Sequence, residues 1–248
     1  MIEIQGLHKS FNGQEVLKGI DLVIPKGQIT VILGPSGVGK SVLLKHLIGL
    51  MKPDKGRILV DGRDINRMGS KDLRELRKRF GMLFQEGALF DSMTVADNVA
   101  FPLLEHTRLK QDEIWEVVQE KLKQVGLLDA AHKFPSELSG GMKKRAALAR
   151  ALALNPEYVL CDEPTGGLDP VSASSIERLI LETQRTSSST FVIITHDLAT
   201  AIALGDKLAL LEDGRIAFEG GVKELLSSKH PLVEAFLQRR ERTKEVRP

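Results

Sequence analysis

The sequence of 248 residues predicts an α/β fold built around a mostly parallel sheet with helices on both faces. Short apolar runs rich in β-forming residues occur at 28–33, 80–84, 158–161 and 190–194. Each run is bounded by glycine, proline or charged residues and is followed by a helical pattern. Regular alternation of strands and helices is typical of a parallel sheet covered on both faces.

The first part of the chain departs from this alternation. Residues 2–5, 20–24 and 57–60 read as strands without helices between them. Strands that follow one another in this way pair most simply as antiparallel neighbours. We therefore expect an antiparallel β subdomain beside the main sheet.

The middle of the chain departs in another way, because residues from about 86 to 155 show a helical pattern. Leu122, Val125 and Leu128 form an apolar stripe on a predicted helix at 111–126. The pattern predicts an α-helical subdomain inserted into the α/β core. We expect its interior to include the neighbours on that helix, Ile114, Trp115, Val117 and Val118.

Composition excludes several classes of protein. The chain is 42% hydrophobic and 27% charged, which rules out disordered and fibrous classes. Apolar runs of at most four residues, against the roughly 18 of a spanning helix, predict no membrane crossing, and no signal peptide is expected at Met1. A net charge of +2 argues against a nucleic-acid partner. The single cysteine, Cys161, excludes an intrachain disulfide framework and is expected in the core.

A complete phosphate-binding loop follows the first apolar run of the predicted parallel sheet. Its G-x-x-x-x-G-K-S pattern predicts a P-loop NTPase core, since the glycines let main-chain amides approach a β-phosphate closely. Lys40 supplies a cation to the β- and γ-phosphates, and Ser41 offers a hydroxyl to Mg²⁺. The candidate nucleotide ligands are Gly34, Pro35, Ser36, Gly37, Val38, Gly39, Lys40 and Ser41.

Two acidic residues, Asp162 and Glu163, follow the apolar run that begins at Tyr158. A buried strand that ends in carboxylates can deliver them to the metal and phosphates of a nucleotide on the neighbouring loop. Asp162 suits the metal. Glu163 suits a general base that polarises the attacking water.

A second glycine-rich motif, Leu138-Ser139-Gly140-Gly141-Met142, opens a predicted helix that runs to about Leu154. Ser139 is a good N-cap, and Gly140 and Gly141 allow an anion to approach the helix N-terminus. One phosphate loop already accounts for a triphosphate, so the second anion-binding helix end requires an explanation.

With this motif the sequence resembles the ATP-binding cassette family over nearly its whole length. The resemblance implies a head-to-tail homodimer that holds two MgATP molecules, in which the LSGG stretch of one subunit closes on the nucleotide of the other. It further implies four roles: adenine stacking by Phe11, Mg²⁺ and water sensing by Gln85, a γ-phosphate contact by His196 and a link between the two sites by Gly167-Leu168-Asp169. Met142 and Gly167 replace the commoner glutamine and alanine.

Single markers also have simpler explanations. Phe11 could be an ordinary core aromatic, and His196 could merely cap the strand before it. In the resemblance, catalysis uses Glu163 as the base, while Lys40, Mg²⁺, His196 and the partner's Ser139 and Gly141 neutralise developing charge.

Residues 85–107 carry the most information about what the ATPase drives. Leu89, Phe90 and Met93 could form an exposed apolar patch for a membrane subunit, or could pack inside the helical subdomain. The FQ-x-GALF and NVAFPL-x-EHT segments resemble ATPases of the Mla/MCE-type phospholipid transport systems. That resemblance implies an MlaE-type permease and MCE-domain proteins as partners, and a location at the cytoplasmic face of the inner membrane of a diderm bacterium.

We expect residues 1–229 to form the ATPase domain and residues 230–248 to form a short amphipathic helix with a basic tail. The helix either docks on its own domain or grips the partner ATPase or a small regulatory subunit through Leu232, Val233, Phe236 and Leu237. Two alternatives remain: an ATPase of another importer or exporter, and a cassette that signals to a membrane partner without transport. A third, a DNA-repair or chromosome-organising cassette, fits poorly. The short spacing between the two glycine-rich motifs leaves no room for the coiled coil of the last.

Overall fold

The computed structural model describes residues 1–235. The expectations for Phe236, Leu237 and the basic tail lie outside these residues. In chain order the described strands are β1 (Ile2–Phe11), β2 (Gln14–Ile24), β3 (Ile29–Leu33), β4 (Lys55–Val60), β5 (Arg63–Asp64), β6 (Phe80–Leu83), β7 (Tyr158–Asp162), β8 (Thr190–Thr195), β9 (Lys207–Glu212) and β10 (Arg215–Gly220).

The helices lie between these strands. They are α1 (Lys40–Leu47), α2 (Ser70–Arg77), α3 (Val95–His106), α4 (Gln111–Gln124), α5 (Gly140–Leu152), α6 (Pro170–Ser187), α7 (Leu198–Leu204) and α8 (Val222–Ser227). A further helical segment covers residues 231–235, where Leu232 is half-buried and Val233 is buried. No helix in the described part of the chain combines the length and apolar character needed to cross a membrane.

The larger sheet has the strand order β10-β9-β3-β8-β7-β6. Pairing is parallel from β9 across to β6, and Ile29 of β3 lies opposite Phe191 of β8. The prediction of a mostly parallel sheet is confirmed. Strands β9 and β10, which pair antiparallel at the other edge, were not predicted.

The smaller sheet has the order β2-β1-β4-β5 and is antiparallel throughout. The predicted N-terminal β subdomain is therefore present. Its first two strands are longer than expected, because β1 extends to Phe11 and β2 begins at Gln14. Between them lies a tight turn in which Asn12 and Gly13 both have positive φ, as a two-residue hairpin turn requires.

Both faces of the parallel sheet are buried, each against a different layer. On β7, Val159 and Cys161 face the helical side, whereas Tyr158 and Leu160 face α1 and the antiparallel sheet. Cys161 is completely buried, and this burial raises the pKa of its thiol to about 12. Its predicted place in the core is confirmed.

The helical region of the chain contains α3, α4 and α5, which pack on one another. The apolar stripe of α4 consists of Ile114, Val118 and Leu122, with Val125 buried at its end. The expectation for Leu128 is wrong: it follows the helix in a 3-10 turn and is 41% exposed, because the chain turns at Gly126. Trp115 does not join the interior either; it is exposed and stacks on His132 with ring centroids 6.0 Å apart.

Gly81 on β6 sets how closely α5 approaches the parallel sheet. A Cβ atom at this position would lie inside contact distance of the main-chain oxygen of Ala151 in α5. We expect Gly81→Ala to reduce the free energy of unfolding by about 1–3 kcal/mol, because packed main chains yield little. Denaturant titration measures the effect. Gly69→Ala is the control, since its Cβ would meet nothing within 4 Å. Gly69 is the N-cap of α2, so a loss below about 1 kcal/mol is expected there, and a loss as large as that of Gly81→Ala would contradict the explanation.

Candidate functional site

The phosphate loop lies at the carboxyl end of β3 and runs into the N-terminus of α1. Gly39 is the N-cap of α1 with φ +106°, and Gly37 has φ +81°. Only glycine adopts such conformations without strain. The order of strand, loop and helix predicted from the sequence is present. The N-terminus of α1, with its free main-chain amides, directly follows the loop, as an anion site requires.

The side chain of Lys40 folds back over this loop. Its ammonium donates hydrogen bonds to the main-chain oxygens of Gly34 at 2.7 Å and Pro35 at 2.9 Å. It lies 3.9 Å from Oε1 of Glu163 and is 7% exposed. Burial lowers the pKa of Lys40, while the charges of Glu163 and Asp162 act in the opposite direction. The loop thus holds a nearly desolvated cation at its centre.

Asp162 and Ser41 lie together beside the loop. Burial raises the pKa of the Asp162 carboxyl, and the hydrogen bond from Ser41 opposes that shift. A carboxylate and a hydroxyl are oxygen ligands of the kind that Mg²⁺ prefers. Within residues 1–235 no cluster of three or more His, Cys, Asp or Glu side chains could enclose a metal. Such a donor set fits Mg²⁺ held by few protein ligands together with phosphate oxygens.

The carboxylate of Glu163 is held from several directions. Thr195 Oγ1 donates to Oε2 at 2.9 Å, and His196 Nδ1 lies 2.8 Å from Oε1. The residue is 8% exposed and its backbone is left-handed, with φ +47°. A non-glycine residue in this region stores strain, which persists only where the surroundings fix it. Here the amide of Glu163 donates to Ile194 O at 2.9 Å on the neighbouring strand.

Gln85 follows β6, and its side chain is exposed. Its main-chain oxygen accepts a hydrogen bond from the ammonium of Lys144, which also donates to the main-chain oxygen of Glu163 at 2.9 Å. The adjacent parallel strands β3, β8, β7 and β6 end on the same side of the sheet. The four predicted residues that follow their carboxyl ends are, in that order, Lys40, His196, Glu163 and Gln85.

Sequence reasoning missed Lys144 and Thr195 as members of this site. Thr195 directly precedes His196, so its contact with the carboxylate could have been suspected. Lys144 lies on the same face of α5 as the buried Ala147, Leu148 and Ala151, three, four and seven residues later. That spacing was the available signal for a buried lysine.

Ser139 is the N-cap of α5, as predicted, and its Oγ accepts from the amide of Met142 at 3.3 Å. Gly140 and Gly141 lie against Leu168 and Ser172. No hydrogen bond in the described part of the chain joins Ser139, Gly140 or Gly141 to the phosphate loop. Within this part of the chain, the two glycine-rich motifs are therefore not joined by hydrogen bonds.

Asp169 caps α6, since its Oδ1 accepts from the amides of Val171 and Ser172 at 3.0 Å each. Hydrogen bonds from the side chain and amide of Ser172 lower the pKa of its carboxyl. Phe11 ends β1 with its ring 40% exposed, and the ammonium of Lys9 lies 5.6 Å from the ring centroid. The alternative of a core aromatic is therefore wrong for Phe11.

The segment at 85–107 divides between the two alternatives considered for it. Leu89 packs against the core, and Met93 is half-buried, whereas Phe90 is 42% exposed. The Phe90 ring lies 4.9 Å from that of Phe101 and 5.7 Å from the guanidinium of Arg150. These side chains line a groove of about 590 Å³ whose wall also includes Met82, Phe84, Pro102, His106 and Leu154.

Comparison with known proteins agrees with this arrangement. Residues 17–166 match the model of the ABC transporter family. A probable ribonucleotide transport ATP-binding protein of Mycobacterium leprae is 48% identical over 239 residues, which are 96% of this chain and 69% of that protein. The intermembrane phospholipid transport ATP-binding protein MlaF of Haemophilus influenzae is 43% identical over 238 residues, 96% of this chain and 90% of MlaF.

Solved structures give the same result. A dimeric ATP-binding cassette in a post-hydrolysis state, bound to ADP and Pi, superposes with a TM-score of 0.82 at 32% identity. The match covers 90% of this chain and 99% of that one. The matched family region contains the phosphate loop, the acidic end of β7 and the glycine-rich start of α5. The chain belongs to the ABC transporter family and is an ATPase.

Proposed function

We propose that the chain is the ATP-hydrolysing subunit of a phospholipid transport system of the Mla/MCE type. The observation that carries this proposal is the similarity to MlaF, which extends over 90% of that protein's length. The resemblance of the FQ-x-GALF and NVAFPL-x-EHT segments to ATPases of such systems supports it as well. In this proposal the subunit works at the cytoplasmic face of the inner membrane of a diderm bacterium, and MCE-domain proteins carry the lipid beyond it.

We assign nucleotide binding to the phosphate loop and the exposed Phe11. Amides of the loop and the N-terminus of α1 hold the phosphates, and the Lys40 ammonium exchanges its main-chain partners for β- and γ-phosphate oxygens. The Phe11 ring, backed by Lys9 on its β-strand, stacks on adenine. Ser41, Asp162 and Gln85 are the residues that would hold Mg²⁺, which supplies neutralisation of charge on the phosphate oxygens.

We assign the chemical step to Glu163 as general base. Its carboxylate accepts the proton of the attacking water, which makes that water a better nucleophile for the γ-phosphate. Thr195 and the left-handed backbone hold the carboxylate in one direction. His196 reaches the same carboxylate with one ring nitrogen and is exposed enough to offer the other to the γ-phosphate.

The second glycine-rich motif serves the other subunit of a homodimer. Ser139, Gly140 and Gly141 are free of the phosphate loop of their own chain, and the N-terminus of α5 is a ready anion site. In a head-to-tail dimer this helix end closes on the partner's nucleotide. Asp169 is the N-cap of α6 on the loop proposed to join the two sites, and its neighbours Leu168 and Ser172 lie beside Gly140 and Gly141, the signature glycines of the second motif. The dimeric cassette bound to ADP and Pi supports this arrangement.

We place the permease in the groove lined by Phe90, Phe101 and Arg150. Its walls combine aromatic and apolar side chains with the basic side chains of Arg74, Arg77, Lys78 and Arg150, a composition that suits an amphipathic helix of a membrane subunit. Arg150 donates to the main-chain oxygens of Gly87 and Ala88 at 2.9 and 2.8 Å, which fixes the loop that carries Phe90. In this way permease contact and the position of Gln85 share one loop.

Phe90→Asp tests the groove. Loss of this aromatic ring should lower the recovery of an MlaE-type permease with the ATPase by at least about tenfold, because aromatic contacts at such interfaces are worth about 2 kcal/mol or more. Nucleotide affinity of the purified chain should stay unchanged. Leu128→Asp is the control, since Leu128 is 41% exposed and lies outside the groove. Equal recovery of permease with both variants would reject the groove.

Purification of the complex from native membranes tests the proposal as a whole. A polytopic permease, an MCE-domain protein and bound phospholipid should accompany the ATPase. A second candidate is ribonucleotide transport, which the name of the mycobacterial relative favours; a permease without an MCE protein or lipid would support it. A regulatory membrane protein as the sole partner would favour signalling without transport. A small regulatory subunit bound through residues 230–248 would fit the first outcome.

A further inference from the structure

The side chain of Lys144 connects the helix that bears the signature glycines to the main chain of two site residues. It is 5% exposed, and its ammonium donates to two main-chain oxygens, those of Gln85 and Glu163. A lysine is seldom buried without a structural or functional need. Burial lowers the pKa of this ammonium, against the nearby charges of Glu86, Asp162 and Glu163.

The two carbonyls that Lys144 holds belong to neighbouring strands. Gln85 follows β6 and Glu163 follows β7, and these strands pair in parallel with Leu83 opposite Cys161. Past that pair β6 and β7 no longer pair with each other, so the hydrogen-bond ladder no longer fixes the spacing of these two chains. The ammonium of Lys144 takes over from the ladder at this point, because a single cation bridges both carbonyl oxygens.

The position of Lys144 on α5 couples this bridge to the N-terminal end of the helix. Ser139 caps the same helix little more than one turn earlier, so any shift of the signature end of α5 displaces the ammonium as well. Gly87 and Ala88, just past Gln85, are held by Arg150 from the same helix. Two side chains of helix α5, Lys144 and Arg150, therefore hold the main chain of residues 85–88, and Lys144 also holds that of Glu163.

We propose that Lys144 is a positioning residue that aligns Gln85 and Glu163 with the signature end of its own helix. Its ammonium donates to two main-chain oxygens, and we assign it no direct contact with the nucleotide or the attacking water. It holds the main chain on both sides of the reacting phosphate so that the Gln85 and Glu163 side chains point correctly when Ser139 is engaged by the partner's nucleotide. The inference rests on the roles proposed above for Gln85 and Glu163, and not on the identity of the transported substrate.

Steady-state MgATP hydrolysis by the full-length chain tests this inference through Lys144→Met, Lys144→Arg and Lys121→Met. Lys121 is the matched control: it is 6% exposed, and its ammonium contacts Glu120 and Asn155, away from the nucleotide residues. Lys144→Met should lower kcat at least about tenfold with KM for ATP changed less than about threefold, because misplacement of reacting groups affects mainly the chemical step. Lys144→Arg, which keeps charged donors, should restore most of kcat.

Lys121→Met should lower the melting temperature about as much as Lys144→Met and leave kcat within about twofold. A Lys144→Met enzyme with wild-type kcat, or one whose loss of kcat Lys121→Met reproduces, would overturn the inference. If Lys144→Met does not fold, Lys144→Gln, which keeps an amide donor, is compared with Lys121→Gln by the same criteria.

A double-mutant cycle with Gln85→Ala identifies the route of the effect. The main-chain oxygen of Gln85 remains in this variant, so only the side chain that Lys144 is inferred to align is lost. The kcat of the double variant should be close to that of the slower single variant, because the effects of residues that act as a unit do not add. Losses that multiply would contradict the inference. An unchanged kcat in Gln85→Ala alone would instead remove the role proposed for Gln85.

Discussion

Glu163→Gln should lower the turnover of ATP by about a hundredfold or more, since general-base catalysis contributes a factor of roughly 10²–10⁴. The amide is nearly isosteric with the carboxylate and can still accept a hydrogen bond from Thr195. It cannot take a proton from water. Nucleotide affinity should therefore remain within about threefold of the wild type, and the dimer should close on ATP and stay closed. Hydrolysis by the assembled complex and size-exclusion chromatography with MgATP measure the two effects.

Glu157→Gln is the control for this variant, because Glu157 precedes the other end of the same strand. Its carboxylate accepts from Arg79 at 2.7 Å and has no contact with the phosphate loop. Its loss should reduce stability and leave turnover unchanged. Near-normal hydrolysis by Glu163→Gln would remove Glu163 from the role of general base.

Lys40→Ala should weaken ATP binding by roughly a hundredfold. The ammonium is nearly buried at the centre of the loop, and removing one partner of a desolvated charge pair costs about 2–5 kcal/mol. The two main-chain oxygens that now accept from Lys40, those of Gly34 and Pro35, would also lose their donor. Equilibrium titration with a fluorescent ATP analogue measures the affinity.

Lys45→Ala provides the comparison on the same helix, because Lys45 is exposed on α1. Its affinity for ATP should match that of the wild type. If Lys40→Ala bound ATP as tightly as Lys45→Ala, the phosphates would not be held by this loop.

Much of the fold could be predicted because apolar strands and helices alternate clearly along the chain. Strand β3 and the loop after it were recognisable from local sequence alone. Strands β9 and β10 were not recognised, since β9 consists mainly of leucine and alanine, which favour helices, and β10 lies at the sheet edge, where its alternating pattern is short. The error at Leu128 has a similar cause: helical periodicity was extended past Gly126, where a positive φ ends the helix.

The site could be predicted only where motifs carry it. Asp162 was found because it ends an apolar run that becomes a parallel strand, whereas Gln85 and His196 were assigned from the resemblance to the ATP-binding cassette family. The bridge made by Lys144 could not be read from spacing, because its partners are main-chain oxygens, which have no sequence signature. The left-handed backbone of Glu163 was equally hidden, since it arises from the packing of neighbouring strands.

The pairing of Ile29 with Phe191 has a consequence for synthesis on the ribosome. The phosphate loop emerges early, but β3 finds its central neighbour only after most of the chain has been translated, roughly ten seconds or more later at about 5–20 residues per second. During that interval the antiparallel sheet can form by itself, because β1, β2 and β4 are already available. The nascent chain therefore carries an apolar β3 without its partners, and parallel pairing over such a distance is slow. Chaperone demand should peak in this window, before the nucleotide site exists.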